Sequence, residues 1–309
     1  MREITVNGND ANQRLDKFIT KYMPRLPLGM LYKGLRKNCV RVNGKHVKDG
    51  ARMLCEGDVL ALYFSDEFFE TEQTFTASRS DIDVVYEDDN IILINKPAGL
   101  VVHSDDRGTD DTLLSRMQSY LYKKGEYKPD SEHSFAPALC NRLDRNTSGI
   151  IIGAKNAEAL RIMNEKIKKR EVKKYYLAVA EGVTDAEGTI TSRITRGDKK
   201  VSISDAEDGK DAMLRYRTIA VKNNQSLIEV ELMTGRTHQI RAQMAHIGHP
   251  LAGDKKYGAK TGQKRQKIQL ASYKLYFDFK SDAGILNYLG NRQFEVTVPF
   301  AAAFDTAKS

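Results

Sequence analysis

Asp144 stands between two arginines in Asn141-Arg142-Leu143-Asp144-Arg145-Asn146-Thr147-Ser148-Gly149, the densest polar run in the chain that leads straight into an apolar strand. Turn formers surround it, so its carboxylate is presented by shaped backbone rather than buried in a regular ladder. Nearby cations favour the charged form, and a partly desolvated carboxylate of that kind can act as a nucleophile or a base. The same residues also fit an Asp-Arg ion pair that caps a turn, and two further segments tip the balance. Leu232-Met233-Thr234-Gly235-Arg236-Thr237-His238-Gln239-Ile240-Arg241 ends a strand in a Thr-Gly turn. Arg236, Thr237, His238, Gln239 and Arg241 then crowd fork-like and amide donors onto one strand-to-helix junction, which favours an anion or a nucleic acid. Val172-Lys173-Lys174-Tyr175-Tyr176-Leu177-Ala178 joins a basic helix end (Lys166, Lys168, Lys169, Arg170) to a strand. An aromatic ring beside cations suits stacking on a splayed base while the lysines hold phosphates.

The elements that position these residues follow from periodicity. Ile91-Ile92-Leu93-Ile94-Asn95-Lys96-Pro97 predicts a buried strand stopped by proline, and Thr112 to Leu121 an amphipathic helix. A strand over Gly149–Ala154 precedes a helix from about Ala157 to Lys169; Tyr176–Ala180 and Leu227–Leu232 read as strands, and Gln239–Ala245 as helix-like. Alternating short strands and helices define an α/β or α+β domain without internal repeats.

The chain has 309 residues, enough for two domains or one large domain with an appendage, and its 40% apolar content with 25 aromatic residues supports a packed core. The formal net charge of +8 is concentrated. Residues 13–50 hold ten basic side chains (Arg14, Lys17, Lys21, Arg25, Lys33, Arg36, Lys37, Arg41, Lys45, Lys48) against Asp16 and Asp49, and the remainder is balanced at 39 to 39. Such a field suits phosphate. Leu31 to Lys37 reads as a short basic helix, and Cys39 to Val47 as two strands joined by an Asn-Gly hairpin turn. A turn at Gly57-Asp58 then leads into an alternating strand from Val59 to Phe64. From 66 to 90 nine acidic residues face Arg79 alone, and Thr71 to Ser78 has little periodicity. The expected organisation is a module over 1–65, an acidic linker over 66–80 and a second domain over 81–309.

Several other chemistries are excluded. No apolar leader opens the chain and no aliphatic run approaches the roughly 20 residues of a membrane span, so a cytoplasmic protein is expected. Cys39, Cys55 and Cys140 are odd in number and widely spaced, which predicts reduced, mostly buried thiols rather than disulfides or a zinc site. His238, His246 and His249 fit no common zinc spacing, so no metal is expected. His246-Ile247-Gly248-His249 spells a tetrapeptide of class I aminoacyl-tRNA synthetases, but it follows a helix-like segment and lacks that family's lysine-rich partner motif. No glycine-rich phosphate loop occurs, hence no nucleotide cofactor, and Asp105-Asp106-Arg107-Gly108-Thr109-Asp110-Asp111 lacks calcium-loop spacing.

Two resemblances follow from these residues. Gln13-Arg14-Leu15-Asp16-Lys17, Leu35-Arg36-Lys37 and Val40-Arg41-Val42-Asn43-Gly44 resemble the S-four-like RNA-binding module, over roughly residues 12–60. Four motifs resemble, in order, the RluA-type family of pseudouridine synthases: Asn95-Lys96-Pro97-Ala98-Gly99-Leu100-Val101-Val102-His103; Arg142-Leu143-Asp144 with Thr147-Ser148-Gly149; Lys174-x-Tyr176-Leu177; and Gly235 to Arg241 continuing through Gly248-His249-Pro250, Gly253-Asp254 and Tyr257-Gly258. This match covers roughly residues 81–300. Asn141 stands where the family usually has a histidine before Arg-Leu-Asp.

The second resemblance implies an α+β fold with a mixed, mainly antiparallel sheet and flanking helices. It implies that Asp144 is the essential carboxylate while uracil is detached, rotated and rejoined through C5. It also implies that Tyr176 packs on the base and takes part in proton transfer, that Arg236 pairs with Asp144, and that Ile240 supplies an apolar wall. No cofactor is needed, because the isomerisation has no net redox change and no group donor. The uridine must leave its stack, and Arg142 or Arg145 is expected to fill the gap. Expected RNA contacts are Arg142, Arg145, Thr147, His238, Gln239, Arg241 and, on the module, Lys33, Arg36, Lys37 and Arg41. The expected partner is large-subunit ribosomal RNA or its precursor, bound by a monomer. The alternative is a non-catalytic RNA-binding assembly factor with the same fold; a carboxylate-pair glycosidase lacks its second acid.

Overall fold

The computed structural model describes residues 1–69, 75, 79–104, 109–197, 200–203, 209–260 and 267–304, with Arg196 by its backbone alone. Most of the 70–78 stretch of the expected linker, and the Asp105–Gly108 part of the acidic loop, lie outside these residues.

In the first unit, β1 (Arg2–Thr5), α1 (Leu15–Tyr22), α2 (Leu28–Arg36), β2 (Val40–Val42), β3 (Lys45–His46) and β4 (Val59–Leu62) form a four-stranded antiparallel sheet in the order β1-β4-β2-β3 with two helices. The Asn-Gly turn is present: Asn43 and Gly44 both have positive φ, +52° and +74°, as the tight hairpin requires. Leu15, Phe18 and Ile19 of α1 and Leu31 and Leu35 of α2 fill a core of their own, leaving Lys33, Arg36 and Lys37 exposed. Arg41 lies with its guanidinium 5.5 Å from the Tyr63 ring centre. Phe69 is buried in this core, so the folded unit runs past residue 65, and the acidic composition of 66–90 conceals an apolar anchor.

The larger unit contains β5 (Val84–Glu87), β6 (Ile91–Lys96), α3 (Leu113–Lys123), β7 (Ala138–Leu139), β8 (Ser148–Ala154), α4 (Ala157–Lys168), β9 (Val172–Glu181), β10 (Glu187–Arg196), β11 (Val201–Ile203), β12 (Lys210–Lys222), β13 (Gln225–Leu232), α5 (Gln239–His246), β14 (Leu270–Phe277) and β15 (Gln293–Glu295). Its sheet runs β11-β10-β12-β13-β9-β14-β8-β6-β5, with β15 beside β14 and β7 beside β8. Every pairing is antiparallel except β14 with β8, which touch only at Ala271–Ser148 and Ser272–Gly149. The mixed, mainly antiparallel α+β architecture is therefore present.

β6 and β8 read as unbroken aliphatic runs because both their faces are covered. Ile92, Ile94 and Ile151 pack under α3 with Leu113, Met117 and Leu121, whereas Ile91, Leu93, Ile150 and Ile152 pack with Ala159 and Met163 of α4. Thr112 caps α3 through the Ser115 N–H, and Asn156 caps α4 through the Ala159 N–H. The two units meet through polar contacts. The Asp10 carboxylate accepts from the Ser134 N–H (3.0 Å) and hydroxyl (2.6 Å), and Asn9 bonds Glu132 (2.9 Å) and the Ala157 N–H (3.0 Å). Cys55 is exposed, contrary to the expectation of buried thiols, because it precedes the surface turn at Gly57; Cys39 and Cys140 are half-buried.

Candidate active site

The loop bearing Asp144 ends where β8 makes its brief parallel contact with β14. Gly149, φ +115°, lies against β14 so closely that a Cβ there would sit 2.1 Å from the Ser272 carbonyl oxygen. Glycine is required for that approach, which sets where β8 starts and so where the preceding turn presents its carboxylate. The Thr147 N–H closes the turn onto the Asp144 carbonyl at 3.1 Å. A second anchor is Lys96, fully buried at the end of β6, whose ammonium donates to the carbonyls of Pro97 (3.0 Å), Leu100 (2.8 Å) and Arg145 (3.0 Å). The Gly99 N–H donates to the same Arg145 carbonyl at 2.7 Å. Burial pulls the Lys96 pKa down to about 8, with Asp144 opposing, so it remains mainly an ammonium at pH 7, as three carbonyl acceptors require.

The Asp144 side chain is 24% exposed and faces the first turn of α5. Arg241 Nη1 lies 3.6 Å and His238 Nε2 3.8 Å from Asp144 Oδ2. A helix N-terminus favours negative charge at that point. Arg241 is itself fixed by the buried Asp254, which accepts from Nε at 2.6 Å and from Nη2 at 2.9 Å, and by the Tyr257 ring, 5.0 Å away. Burial opposes the charge on Arg241, but Asp254 more than offsets it and leaves the guanidinium pKa raised. His238 Nδ1 meets the Tyr257 hydroxyl at 3.0 Å, and that hydroxyl accepts from the Val201 N–H at 3.2 Å. Burial pulls the His238 pKa below its ordinary value against the pull of Asp144, so the ring is neutral near pH 7.

Opposite, on β9, Tyr176 is buried and pairs across the sheet with Val230 and Ser272. Burial, reinforced by Asp144, pushes its phenol up to about 12, which keeps it protonated. Strand alternation puts Tyr175 on the other face, beneath the Lys274 ammonium at 4.5 Å. Asp144, Tyr176, Ile240, Arg142, Thr147, Lys174, Arg236, His238, Gln239 and Arg241 all line one cavity of about 260 Å³.

Several expectations change in detail. The anticipated Arg236–Asp144 pair is not formed. Arg236 precedes α5, is exposed and donates through Nε to the Asp211 carbonyl at 3.0 Å, whereas Arg241, in the first turn of the helix, faces the carboxylate. Arg241 and Gln239 are buried rather than presented to a polymer; Gln239 accepts from the Thr234 hydroxyl (2.8 Å) and the Arg236 N–H (3.0 Å) and donates to the Met213 carbonyl (3.0 Å). Thr147 is buried in the cavity wall, while Arg142 and Arg145 are exposed. Lys166 leaves the expected basic cluster: it is buried in an ion pair with Glu171 at 2.8 Å and bonds the Ser281 carbonyl at 2.6 Å. Asn141 turns its side-chain oxygen to the Ile152 N–H at 2.8 Å. Lys96, Asp254 and Tyr257 acquire roles that motif membership alone did not assign.

An α+β sheet with a single aspartate, a guanidinium and a buried tyrosine around one cavity matches a class of RNA-modifying isomerase. Residues 90–246 match the family model described as RNA pseudouridylate synthase, and the chain belongs to that family. A Mycoplasma capricolum protein described as an uncharacterized RNA pseudouridine synthase is 32% identical over 94% of this chain and 96% of its own length. Ribosomal large subunit pseudouridine synthase D of Escherichia coli strain K12 is 34% identical over 83% of this chain and 76% of its own. Among solved structures, human RNA pseudouridylate synthase domain containing 1 superposes with a TM-score of 0.57 at 22% identity, covering 74% of this chain and 89% of that one, a likeness of fold. The RluA-type resemblance is borne out, and the non-catalytic alternative finds no support.

Proposed function

We propose that this protein isomerises uridine to pseudouridine in large-subunit ribosomal RNA, with Asp144 as the essential carboxylate. The observation that carries the reading is Asp144 held 3.6 Å from Arg241 at the wall of a cavity whose other side is the Tyr176 ring. The reaction breaks the N1–C1′ bond and forms C5–C1′; N1 gains a proton and C5 loses one, so atoms balance without a cofactor. A flipped base stacked in that cavity presents its sugar to Asp144, which adds to the base, attacks the sugar or abstracts a sugar proton. Tyr176, kept protonated by burial, shields the base and relays a proton, Ile240 closes the apolar wall, and Arg241 keeps the carboxylate aimed. Arg142 or Arg145, both exposed beside Asp144, fills the gap that the flipped base leaves.

The N-terminal unit, which runs to Phe69, acts as an S-four-like RNA-binding module through Lys33, Arg36, Lys37 and Arg41, and the unit over 81–309 carries out the reaction. The names of the bacterial relatives support large-subunit ribosomal RNA as substrate and hence a cytoplasmic site of action. The same reading has the protein acting as a monomer. The test maps pseudouridines in ribosomal RNA by chemical probing, in cells lacking the gene and in complemented cells. The reading expects named large-subunit positions to lose pseudouridine and regain it on complementation; unchanged maps would refute it.

A further inference from the structure

We propose that a second basic chamber beside the uridine cavity takes the sugar-phosphate chain of the substrate, Lys174 holding the phosphate of the flipped nucleotide and Lys168 and Arg170 the next phosphate along. The inference rests on the reading of the first cavity as a uridine site. The second chamber, about 370 Å³, shares Ile167, Lys174, Leu232, Gly235 and Arg236 with the first, so the two are continuous. Its charged lining is Lys168, Arg170, Lys173, Lys174 and Arg236 against Glu231 alone.

The cations of this segment divide into two groups. Lys166 is bound to Glu171 at 2.8 Å, Lys169 to Glu165 at 2.5 Å, and Lys173 to Asp278 at 2.9 Å. The side chains of Lys168, Arg170 and Lys174 have no hydrogen bond and no carboxylate partner among the described residues. Lys174 is the informative one. Burial lowers its pKa with no opposing carboxylate, and a half-buried cation without a counter-ion is costly unless a ligand supplies one. It shares a strand face with Tyr176, two residues or about 7 Å away along β9, comparable to the span from a base to the phosphate of its own nucleotide. Arg170, with φ +61°, occupies the left-handed position just past α4, where glycine is the usual residue. The Lys-x-Tyr pattern then combines a ring for the base with a cation for its phosphate.

The test follows C5 tritium release under single-turnover conditions from uridine-tritiated large-subunit ribosomal RNA transcript, at varied RNA and KCl concentration. It compares the full-length wild type with Lys174→Met, Lys174→Arg and the double substitution Lys168→Gln/Arg170→Gln. Lys174→Met is expected to raise the half-saturating RNA concentration roughly tenfold, with most of the loss restored by Lys174→Arg. The exposed double substitution is expected to reduce the slope of log affinity against log salt by roughly 0.7, the value for the one phosphate that the pair holds on a single strand. It decides the matter even where Lys174→Met does not fold. A wild-type salt slope and half-saturation in the double variant, with tritium still released, overturn the phosphate chamber and leave the synthase reading intact. No tritium release by the wild type from any ribosomal transcript overturns the synthase reading itself.

Discussion

Replacing Gly149 with alanine tests whether the contact between β8 and β14 positions Asp144. The added Cβ would meet Ser272 O at 2.1 Å and Ser272 C and N at 2.6 Å, where ordinary contact begins at 3.4 Å. The obstacle is strand backbone, so relief requires β8 and β14 to separate by about 1 Å. A left-handed backbone at φ +115° adds roughly 1–2 kcal/mol for any residue with a Cβ. Overpacking adds about 1–3 kcal/mol, giving roughly 2–5 kcal/mol in all. At about 2–4 °C per kcal/mol for a chain of this size, the melting temperature falls by roughly 10 °C. Because β8 begins just after the Asp144 turn, the same shift misplaces the carboxylate, and a displacement near 1 Å lowers the rate about hundredfold. Thermal melts followed by circular dichroism, with single-turnover tritium release below the new transition, measure both quantities. An unchanged melting temperature would refute the steric reasoning; a lowered one with wild-type rate would refute the link from strand contact to carboxylate placement.

Four further substitutions separate positioning from bulk stability. Arg241→Gln strips the buried Asp254 of its partner and Asp144 of its nearest cation; a loss of about 3–5 kcal/mol in urea denaturation and a roughly hundredfold slower single turnover are expected. Exposed Arg236→Gln costs under about 0.5 kcal/mol in the same denaturation. The wild-type rate is expected to fall as pH rises through about 8, when the Lys96 ammonium loses a donor and frees one of its three carbonyls; Lys96→Met is slow throughout and lacks that limb. Since this pKa is depressed below the unfolded lysine value, the unfolded chain binds the proton more tightly, so the Lys96 contribution to stability rises with pH over the same window. A rate loss explained by unfolding would show the opposite sign in melts at pH 7 and 9. Glu171, held down to about 2 chiefly by its bond from Lys166, contributes stability that is complete above its unfolded pKa near 4.5 and lost as pH falls toward 2; Glu171→Gln leaves Lys166 buried and unpaired, which melting experiments should register as about 3 kcal/mol.

Periodicity marks the elements that carry aliphatic runs, and β6, β8, α3, α4 and β13 lie close to where the residues place them. The first turn at Asn43-Gly44 was also legible, and strand alternation sets Tyr176 at the cavity and Tyr175 under Lys274 on the other face. β10 was not: among its described side chains only Ile190 and Ile194 are buried, between threonines, serine and charges, too thin a stripe to mark ten residues. β9 begins earlier than its apolar stretch because Lys173 and Lys174 are strand residues facing an ion pair and a cavity. The motifs brought Asp144, Tyr176 and the α5 segment to one site, but the resemblance assigned the Asp144 partner to Arg236 rather than to Arg241. That choice depends on where α5 starts, and His238, with φ +53°, starts it after Arg236. The anchors at Lys96, Gly149 and Asp254 are legible only in three dimensions, since each acts through a backbone or side chain distant in sequence.

Tritium release from C5 of uridine-labelled large-subunit ribosomal RNA, by wild type and by Asp144→Asn under single-turnover conditions, tests the central claim most directly. Asp144→Asn preserves shape and removes the charge that Arg241 faces. Stoichiometric release by the wild type and none above background by Asp144→Asn is the predicted result. Release by Asp144→Asn at the wild-type rate would contradict it and remove Asp144 from the chemistry.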